Sequence, residues 1–318
     1  MMDTIGLQKV NPGALGRRGC KLCRFAFRNP ALAISLAFLA IVTGLAVLAP
    51  LLPYDAYRLD VLHRNELPSA HHWFGTDELG RDLLARIAVG ARVSLIVAVA
   101  STIVAISIGV MIGTISGYLG GVADSIIMRL VDAMYSFPDM LFAILMAAFV
   151  KGYLSGDVHG FWGPLAELYR LSGGILGVLL TLGLSSWPTT SRLVRSQVLS
   201  LKHAEYVLAA RLSGASGWSI IRSHLLPNTL PVILVSITFV VPNAILLEAG
   251  LSFIGIGVDP PTPSWGTMIG DGVKSVQSYP HLLIFPALAI GLTLLCLNVI
   301  GDALRDILDP TLAGSRNA

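Results

Sequence analysis

Charge and cysteine are both scarce in this 318-residue chain. Lys, Arg, Asp and Glu make up only 13% of the residues, against roughly 25% in soluble domains, while 54% are hydrophobic. This composition excludes an ordinary water-soluble protein and makes lipid the solvent for most of the chain. Three cysteines are too few for a disulfide framework. Cys20 and Cys23 are interpreted as incidental thiols, because no second half of a zinc or redox motif lies nearby.

Motifs for catalysis and nucleotide binding are absent as well. A phosphate-binding loop needs Gly-x-x-x-x-Gly-Lys-[Ser/Thr], and the nearest segment, 270–275, lacks the glycine before Lys274. The sequence has no Gly-x-Ser-x-Gly elbow, no His-Glu-x-x-His helix and no His and Cys cluster that suits a metal. The net charge of +3 does not indicate nucleic acid as a partner. We therefore predict a chain that is not an enzyme, holds no metal or other cofactor, and receives energy from another polypeptide.

The chain is instead rich in uncharged runs close to the ~20 residues that a helix needs to cross a bilayer. Five runs contain no Asp, Glu, Lys or Arg, and a further segment with Pro138 and Asp139 in its first turns brings the count to six. The first run is too long for a signal peptide and is expected to be retained. The predicted spans are Ala31–Leu52, Val93–Ile115, Ala133–Val150, Leu171–Ser191, Thr229–Leu247 and Leu282–Gly301.

The distribution of Lys and Arg predicts that both termini face the cytoplasm, where short loops are enriched in these residues. In that orientation the cytoplasmic segments hold fourteen basic residues and the outer segments seven. Three parts are predicted. Residues 1–88 form a cytoplasmic tail, the first span and the first outer loop; 89–303 form the main transmembrane domain; and 304–318 form a cytoplasmic tail.

Few polar side chains fall within the predicted spans. Asp139 and Glu248 lie within about one turn of a membrane face, where a structural role and a functional role are equally open. The amides of Asn243 and Asn298 favour hydrogen bonds between helices over contact with a substrate. A channel or an ion- or proton-coupled secondary transporter requires intramembrane charge or a filter loop, so these classes are the less favoured alternative.

A cytoplasmic segment, 192–228, lies between the fourth and fifth spans and is too long to be a simple connection. Apolar residues recur in it at helical spacing, and Gly214-Ala-Ser-Gly217 predicts a turn between two short helices. The small side chains of Ala209 and Ala210 would let the backbone of a partner approach closely. An amphipathic hairpin resting on lipid headgroups explains the same pattern equally well.

This segment resembles the signature loop of ABC importer permeases, written Glu-Ala-Ala, three residues, Gly, nine residues, Ile-x-Leu-Pro. The sequence departs from it at Leu208, where the family has Glu, and at His224, where the family has Ile. Glu205, one helical turn upstream, would then supply the acidic contact. The resemblance implies that the following residues couple the chain to an ATPase: Glu205, Ala209, Ala210, Arg211, Gly214, Leu226 and Pro227.

Three further segments narrow the resemblance to the C-type permeases of peptide and nickel importers, namely residues 74–82, 261–268 and 301–310. The resemblance covers about residues 24–310. Independently of the family, Thr76 and Asp77 predict a helix N-cap, and 261–266 predict a rigid outer loop. The family's outer-loop motif falls on Gly75, Thr76, Asp77, Gly80, Arg81 and Asp82.

The resemblance implies an all-α membrane protein of six transmembrane helices, the transmembrane domain of a type I ABC importer, in the bacterial inner membrane. Its expected partners are a homologous second permease, two ABC ATPases that bind ATP and Mg, an extracytoplasmic substrate-binding protein, and the lipid bilayer. We expect di- or oligopeptides as cargo, because no span offers a His or Cys cluster for a soft metal. A nickel or metal-chelate importer is the alternative.

Overall fold

The computed structural model of the protein describes residues 29–51, 53–156 and 160–308. Regular structure in these ranges is helical, apart from one isolated bridge between Thr76 and Asp82. The predicted all-α class is therefore confirmed. Cys20, Cys23 and most of both predicted tails lie outside the described residues. The helices are α1 Pro30–Leu48, α2 Leu83–Leu119, α3 Gly121–Tyr135, α4 Asp139–Leu154, α5 Gly163–Leu171, α6 Ile175–Leu201, α7 Glu205–Leu212, α8 Gly217–Ile220, α9 Leu226–Phe253, α10 Trp265–Lys274 and α11 His281–Leu308.

Four helical segments in the described ranges are long and apolar enough to cross a membrane, namely Pro30–Leu51, Leu83–Leu119, Gly217–Phe253 and His281–Leu308. The third of them joins α8, a π-helical turn at Ile221–Leu225, and α9. Two pairs, α3 with α4 and α5 with α6, meet the same criteria together but bend by 91° and 114° between their helices. The predicted number of six spans is reached when each bent pair forms one span.

The third and fourth spans differ from their predicted bounds because the chain bends there. Ala133 belongs to α3, and the helix breaks before Pro138, whose ring disfavours helical backbone at the preceding residue. In the fourth span Leu171 ends α5, and Gly173 and Gly174 turn the chain with φ of +58° and +81°. Such positive φ values are easily adopted only by glycine.

Two helices extend beyond the spans that were predicted for them. α2 has 37 residues and so measures about 55 Å, against a hydrocarbon core of about 30 Å. The predicted span Val93–Ile115 is therefore only its middle. α6 continues to Leu201, so residues 192–201 belong to it and not to the cytoplasmic hairpin. The predicted domain boundaries at 88/89 and 303/304 both fall inside helices, α2 and α11.

Glycines at every fourth position bring α2 into close contact with α6. A Cβ atom added at Gly109 would lie 2.7 Å from Cβ of Thr190, and one added at Gly113 would lie 2.5 Å from the carbonyl oxygen of Ser191. At Gly117 the nearest atom would be the carbonyl oxygen of Arg195, at 3.0 Å. Small residues at this spacing let membrane helices approach to backbone contact. The contact fixes the C-terminal half of α6 on α2.

Candidate functional site

The hairpin of two short helices that the sequence predicted is formed by α7, a turn and α8. Gly214 makes the turn with φ of +81°, and its N–H bonds to the carbonyl oxygen of Arg211 (3.1 Å). The side chain of Ser216 then caps α8 by accepting a hydrogen bond from the Ser219 N–H (3.3 Å). A Cβ atom at Gly214 would meet nothing within 4 Å, so the glycine is required by its backbone conformation alone.

The inner face of the hairpin is packed against the spans. Val207 of α7, Ile220 of α8 and Leu225 of the π turn are all buried. They join the buried side chains of Val194 and Val198 in one apolar cluster at the C-terminal end of α6. This inner stripe contacts protein, so it is not available to rest on lipid headgroups. The hairpin is therefore packed directly on the ends of the spans.

The outer face of the hairpin stays uncovered. Leu208 is 42% exposed, Leu212 90% and Trp218 70%, and Ala209 is exposed between the first two. Ala210 is half-buried, because it lies closer to the packed side of α7. The predicted coupling residues thus divide into two groups. Glu205, Ala209, Ala210, Arg211 and Gly214 lie on α7 and its turn, whereas Leu226 and Pro227 begin α9 at the base of the hairpin.

Ion pairs hold α3 to α6 next to the hairpin. Asp124 accepts from Ser116 and from both Nε and a terminal nitrogen of Arg195, with a distance of 2.5 Å to Nε. Lys202 donates to the carbonyl oxygen of Gly117 at 2.9 Å. Asp132 pairs with Arg192, whose guanidinium lies 3.9 Å from the ring centroid of Tyr135. These pairs join residues 60 or more positions apart, so the sequence alone did not reveal them.

The outer-loop motif is a buried structural unit on top of α2. Asp77 accepts from Leu79 N–H and Arg81 N–H, and its carboxylate also pairs with Arg81 (2.7 Å) and Arg86 (3.2 Å). Thr76 is fully buried and accepts from Glu66 N–H at 2.9 Å. Because the motif residues are covered, the surface of this loop is formed by the more exposed residues around them.

The helix N-cap predicted at Thr76 and Asp77 is wrong. The cap of α2 is Asp82, whose side chain accepts from Ala85 N–H (2.8 Å) and contacts Nδ1 of His72 (2.9 Å). Gly80, with φ of +75°, brings the motif back against the chain, and a Cβ atom there would lie 1.7 Å from the carbonyl oxygen of Asp60. The loop thus reverses direction before α2 starts, which leaves Thr76 and Asp77 inside the reversal.

A hydrogen bond joins Asp60 to His63 on the exposed side of this loop, with 2.9 Å between Oδ2 and Nδ1. This bond lowers the pKa of the Asp60 carboxyl and raises the pKa of the His63 ring. Both shifts favour the ionised forms, so protonation of His63 strengthens the pair.

The loop predicted at 261–266 ends earlier than expected. α10 begins at Trp265 behind a capping box in which Ser264 and Thr267 bond each other's backbone N–H groups. The indole of Trp265 is 1% exposed and donates to the carbonyl oxygen of Ile87 at 3.1 Å. This tryptophan therefore ties the outer loop to α2.

The polar residues of the spans have different surroundings. Glu248 is fully buried, and its two carboxyl oxygens accept from Ser94 of α2 and Ser252 of α9, each at 2.8 Å. It joins two helices, which favours the structural role over the functional one. Asp139 is exposed. Asn243 and Asn298 are also exposed and bond to no other side chain of the described residues, so the predicted bonds between helices are not formed there.

Comparison with known proteins places the chain among membrane transport components. Residues 109–314 match the family model described as "Binding-protein-dependent transport system inner membrane component". The chain is 39% identical over 288 residues to an oligopeptide transport system permease protein of Bacillus subtilis (strain 168), covering 90% of this chain and 88% of that protein. It is 42% identical over 270 residues to a dipeptide transport system permease protein of the same organism, covering 84% and 78%.

A glutathione transport system permease protein of Pectobacterium atrosepticum is 38% identical over 291 residues, covering 91% of this chain and 89% of that protein. Among solved structures, inward-facing forms of the MetNI methionine ABC transporter contain a chain of similar fold, with a TM-score of 0.55 at 15% identity. The similarity covers 70% of this chain and 96% of that chain. It confirms the predicted transmembrane fold of a type I ABC importer.

Proposed function

This chain belongs to the family of binding-protein-dependent transport system inner membrane components and is a membrane-spanning permease subunit of an ABC importer, and we propose that its cargo is di- or oligopeptides. The supporting observation is about 40% identity, over most of the chain, to permeases named for oligopeptide and dipeptide transport. A permease named for glutathione transport supports the same class of cargo. The nickel alternative has no comparable support among these relatives.

The proposed transporter pairs this subunit with a homologous second permease, two ABC ATPases and an extracytoplasmic binding protein. ATP and Mg are bound by the ATPases, and this chain contributes no catalytic group. ATP binding closes the ATPase pair and draws the two docked hairpins together, which rocks the spans between inward-open and outward-open forms. The peptide moves along the interface between the two permeases.

The α7–α8 hairpin is the proposed coupling element. Its exposed outer face, with Leu208, Leu212 and Trp218, offers an apolar surface to a groove on the ATPase. Its buried inner face supports transmission, because it packs on the ends of α6 and α9. Glu205 is exposed in the first turn of α7 and is the proposed acidic contact, since Leu208 replaces the glutamate of the family signature.

We also propose that both termini are cytoplasmic, on the asymmetry of Lys and Arg. In a variant without native cysteines, Ala70→Cys is expected to react with a membrane-impermeant maleimide in intact cells, and Ser213→Cys only after the cells are opened. Both positions are exposed, so accessibility depends on the side of the membrane. Labelling of Ser213→Cys in intact cells contradicts the orientation.

The cargo is tested by uptake into cells or proteoliposomes that contain the complete transporter. We expect ATP-dependent uptake of labelled di- and oligopeptides, no uptake of radioactive nickel, and peptide in the partner binding protein by mass spectrometry. A transporter that lacks this chain is the control. ATP-dependent nickel uptake without peptide uptake would establish the alternative cargo.

A further inference from the structure

A cavity of about 260 Å³ opens on the surface of the chain between the α3–α4 bend, α6 and α9. Its lining includes Asp139, Asn243 and Thr189, together with the rings of Phe142 and Phe239. Thr189 and Asn243 belong to the middle turns of α6 and α9. The bend at Pro138 sets the start of α4, and with it Asp139, at the cavity wall.

The exposed polar side chains of this cavity indicate that lipid does not cover it. Asp139, Thr189 and Asn243 are all exposed within this chain. A carboxylate facing lipid near the bilayer centre costs about 2.5–3.5 kcal/mol, and intramembrane ionisable residues generally face a protein interior or a water-filled passage. The surface with the cavity therefore faces water or the second permease, as a translocation path between two permeases requires.

The carboxylate of Asp139 also has no cationic partner among the described residues. Two guanidinium groups lie beside lining residues: Arg192 is paired with Asp132 and stacked on Tyr135, and Arg305 lies over the ring of Phe239, 4.5 Å from its centroid. Tyr135 in turn bonds to Thr189, with 2.7 Å between the two hydroxyl oxygens. The lining thus presents one carboxylate among neutral polar and aromatic groups.

We propose that this cavity is a station for the peptide in transit, in which Asp139 pairs with the α-ammonium group of the peptide; the inference rests on the proposed peptide cargo. Every unblocked peptide has one α-ammonium, largely protonated at neutral pH, whatever its side chains are. A single acid therefore recognises the class without selecting a sequence. The amide of Asn243 is placed to bond the peptide backbone, and Phe142 and Phe239 offer contacts that suit many side chains.

The test uses the complete transporter in proteoliposomes with an alanine-based peptide that has a free amino terminus. Asp139→Asn removes the charge at nearly constant shape and is expected to lower the maximal uptake rate about tenfold, the order expected for loss of a charge-assisted hydrogen bond. ATP hydrolysis stimulated by the loaded binding protein should persist in this variant, because assembly and coupling do not use Asp139. Asp139→Glu should keep at least half of the uptake, and Asp306→Asn, an exposed carboxylate at the end of α11, should keep all of it.

Uptake by Asp139→Asn at the wild-type rate would overturn the proposal. The proposal would also be overturned if Asp139→Asn lost all three properties, namely uptake, stimulated ATP hydrolysis and thermal stability, because Asp139 would then be structural. Failure of the peptide cargo itself is separate: the wild-type transporter would take up no peptide, and all variants would match it.

Discussion

Arginine in place of Ala209 is expected to separate this permease from its ATPases and to abolish uptake. Ala209 is exposed on α7 between Leu208 and Leu212, so a long side chain there does not disturb the packing of the hairpin itself. In the proposed docked state the variant places an unpaired charge in an apolar contact, at a cost of about 3 kcal/mol or more. Since 1.4 kcal/mol corresponds to about tenfold, affinity for the ATPases should fall about a hundredfold. The measurement is co-purification of the ATPases with the permease, followed by uptake.

Ala209→Ser is the matched control, because it keeps a small side chain at the same position and should retain assembly and uptake. Arginine at Ala210 is a less clear test. Ala210 is half-buried, so a long side chain there would also disturb the packing of the hairpin itself. Thermal stability of the purified Ala209→Arg subunit should equal that of the wild type. Normal co-purification of Ala209→Arg would mean that the hairpin is not the coupling element.

The hairpin illustrates what sequence pattern predicts well. Gly214 and Gly217 marked a turn, and helical spacing of apolar residues marked the helices on either side, because both signals are local. Pattern did not reveal which apolar residues face inward. Val207 is buried and its neighbour Leu208 is 42% exposed, and this difference depends on where the ends of α6 and α9 lie. The choice between lipid and protein as the inner contact therefore required the fold.

The pairing of charged residues, in contrast, could not be predicted from local sequence pattern. Asp124, Arg129 and Asp132 kept residues 121–132 out of the predicted spans, so the third span was predicted to begin at Ala133. In the structure Asp124 and Asp132 are paired with Arg195 and Arg192 of α6, which lets a charged helix pack against a span. The partners lie 60 and 71 residues away, and no local pattern relates them. The cavity at Asp139 could not be predicted from the sequence for the same reason, since its walls come from three separate stretches of chain.

The close contact between α2 and α6 does have a local signal in the sequence. Gly109, Gly113 and Gly117 follow each other at intervals of four, the first two within the predicted span Val93–Ile115 and the third just beyond it. This spacing is typical of close contact between membrane helices. This pattern indicates that α2 has a tightly packed partner but does not identify it. The structure shows that the partner is α6, which leads directly to the hairpin.

Alanine at Gly113 is accordingly expected to destabilise the protein, although alanine is the better helix former by about 1 kcal/mol. Its Cβ atom would lie 2.5 Å from the carbonyl oxygen of Ser191 and 3.0 Å from Cβ of Val194. The closest of these atoms is backbone, so the two helices must separate. Overpacking of this kind costs about 1–3 kcal/mol. Leucine at the same position adds more volume to the same contact and should prevent the subunit from accumulating in the membrane.

Gly291→Ala is the matched control for this contact. Gly291 lies within the α11 span, and a Cβ atom there would meet nothing within 4 Å. The same substitution should therefore leave stability unchanged or raise it slightly through helix propensity. The measurement is the thermal unfolding temperature of the purified transporter in detergent, together with uptake. We expect Gly113→Ala to unfold at a lower temperature than the wild type and Gly291→Ala to unfold at the same or a higher one. Equal unfolding temperatures for the two variants would show that α2 and α6 have room to adjust, and the hairpin would then not depend on this contact for its position.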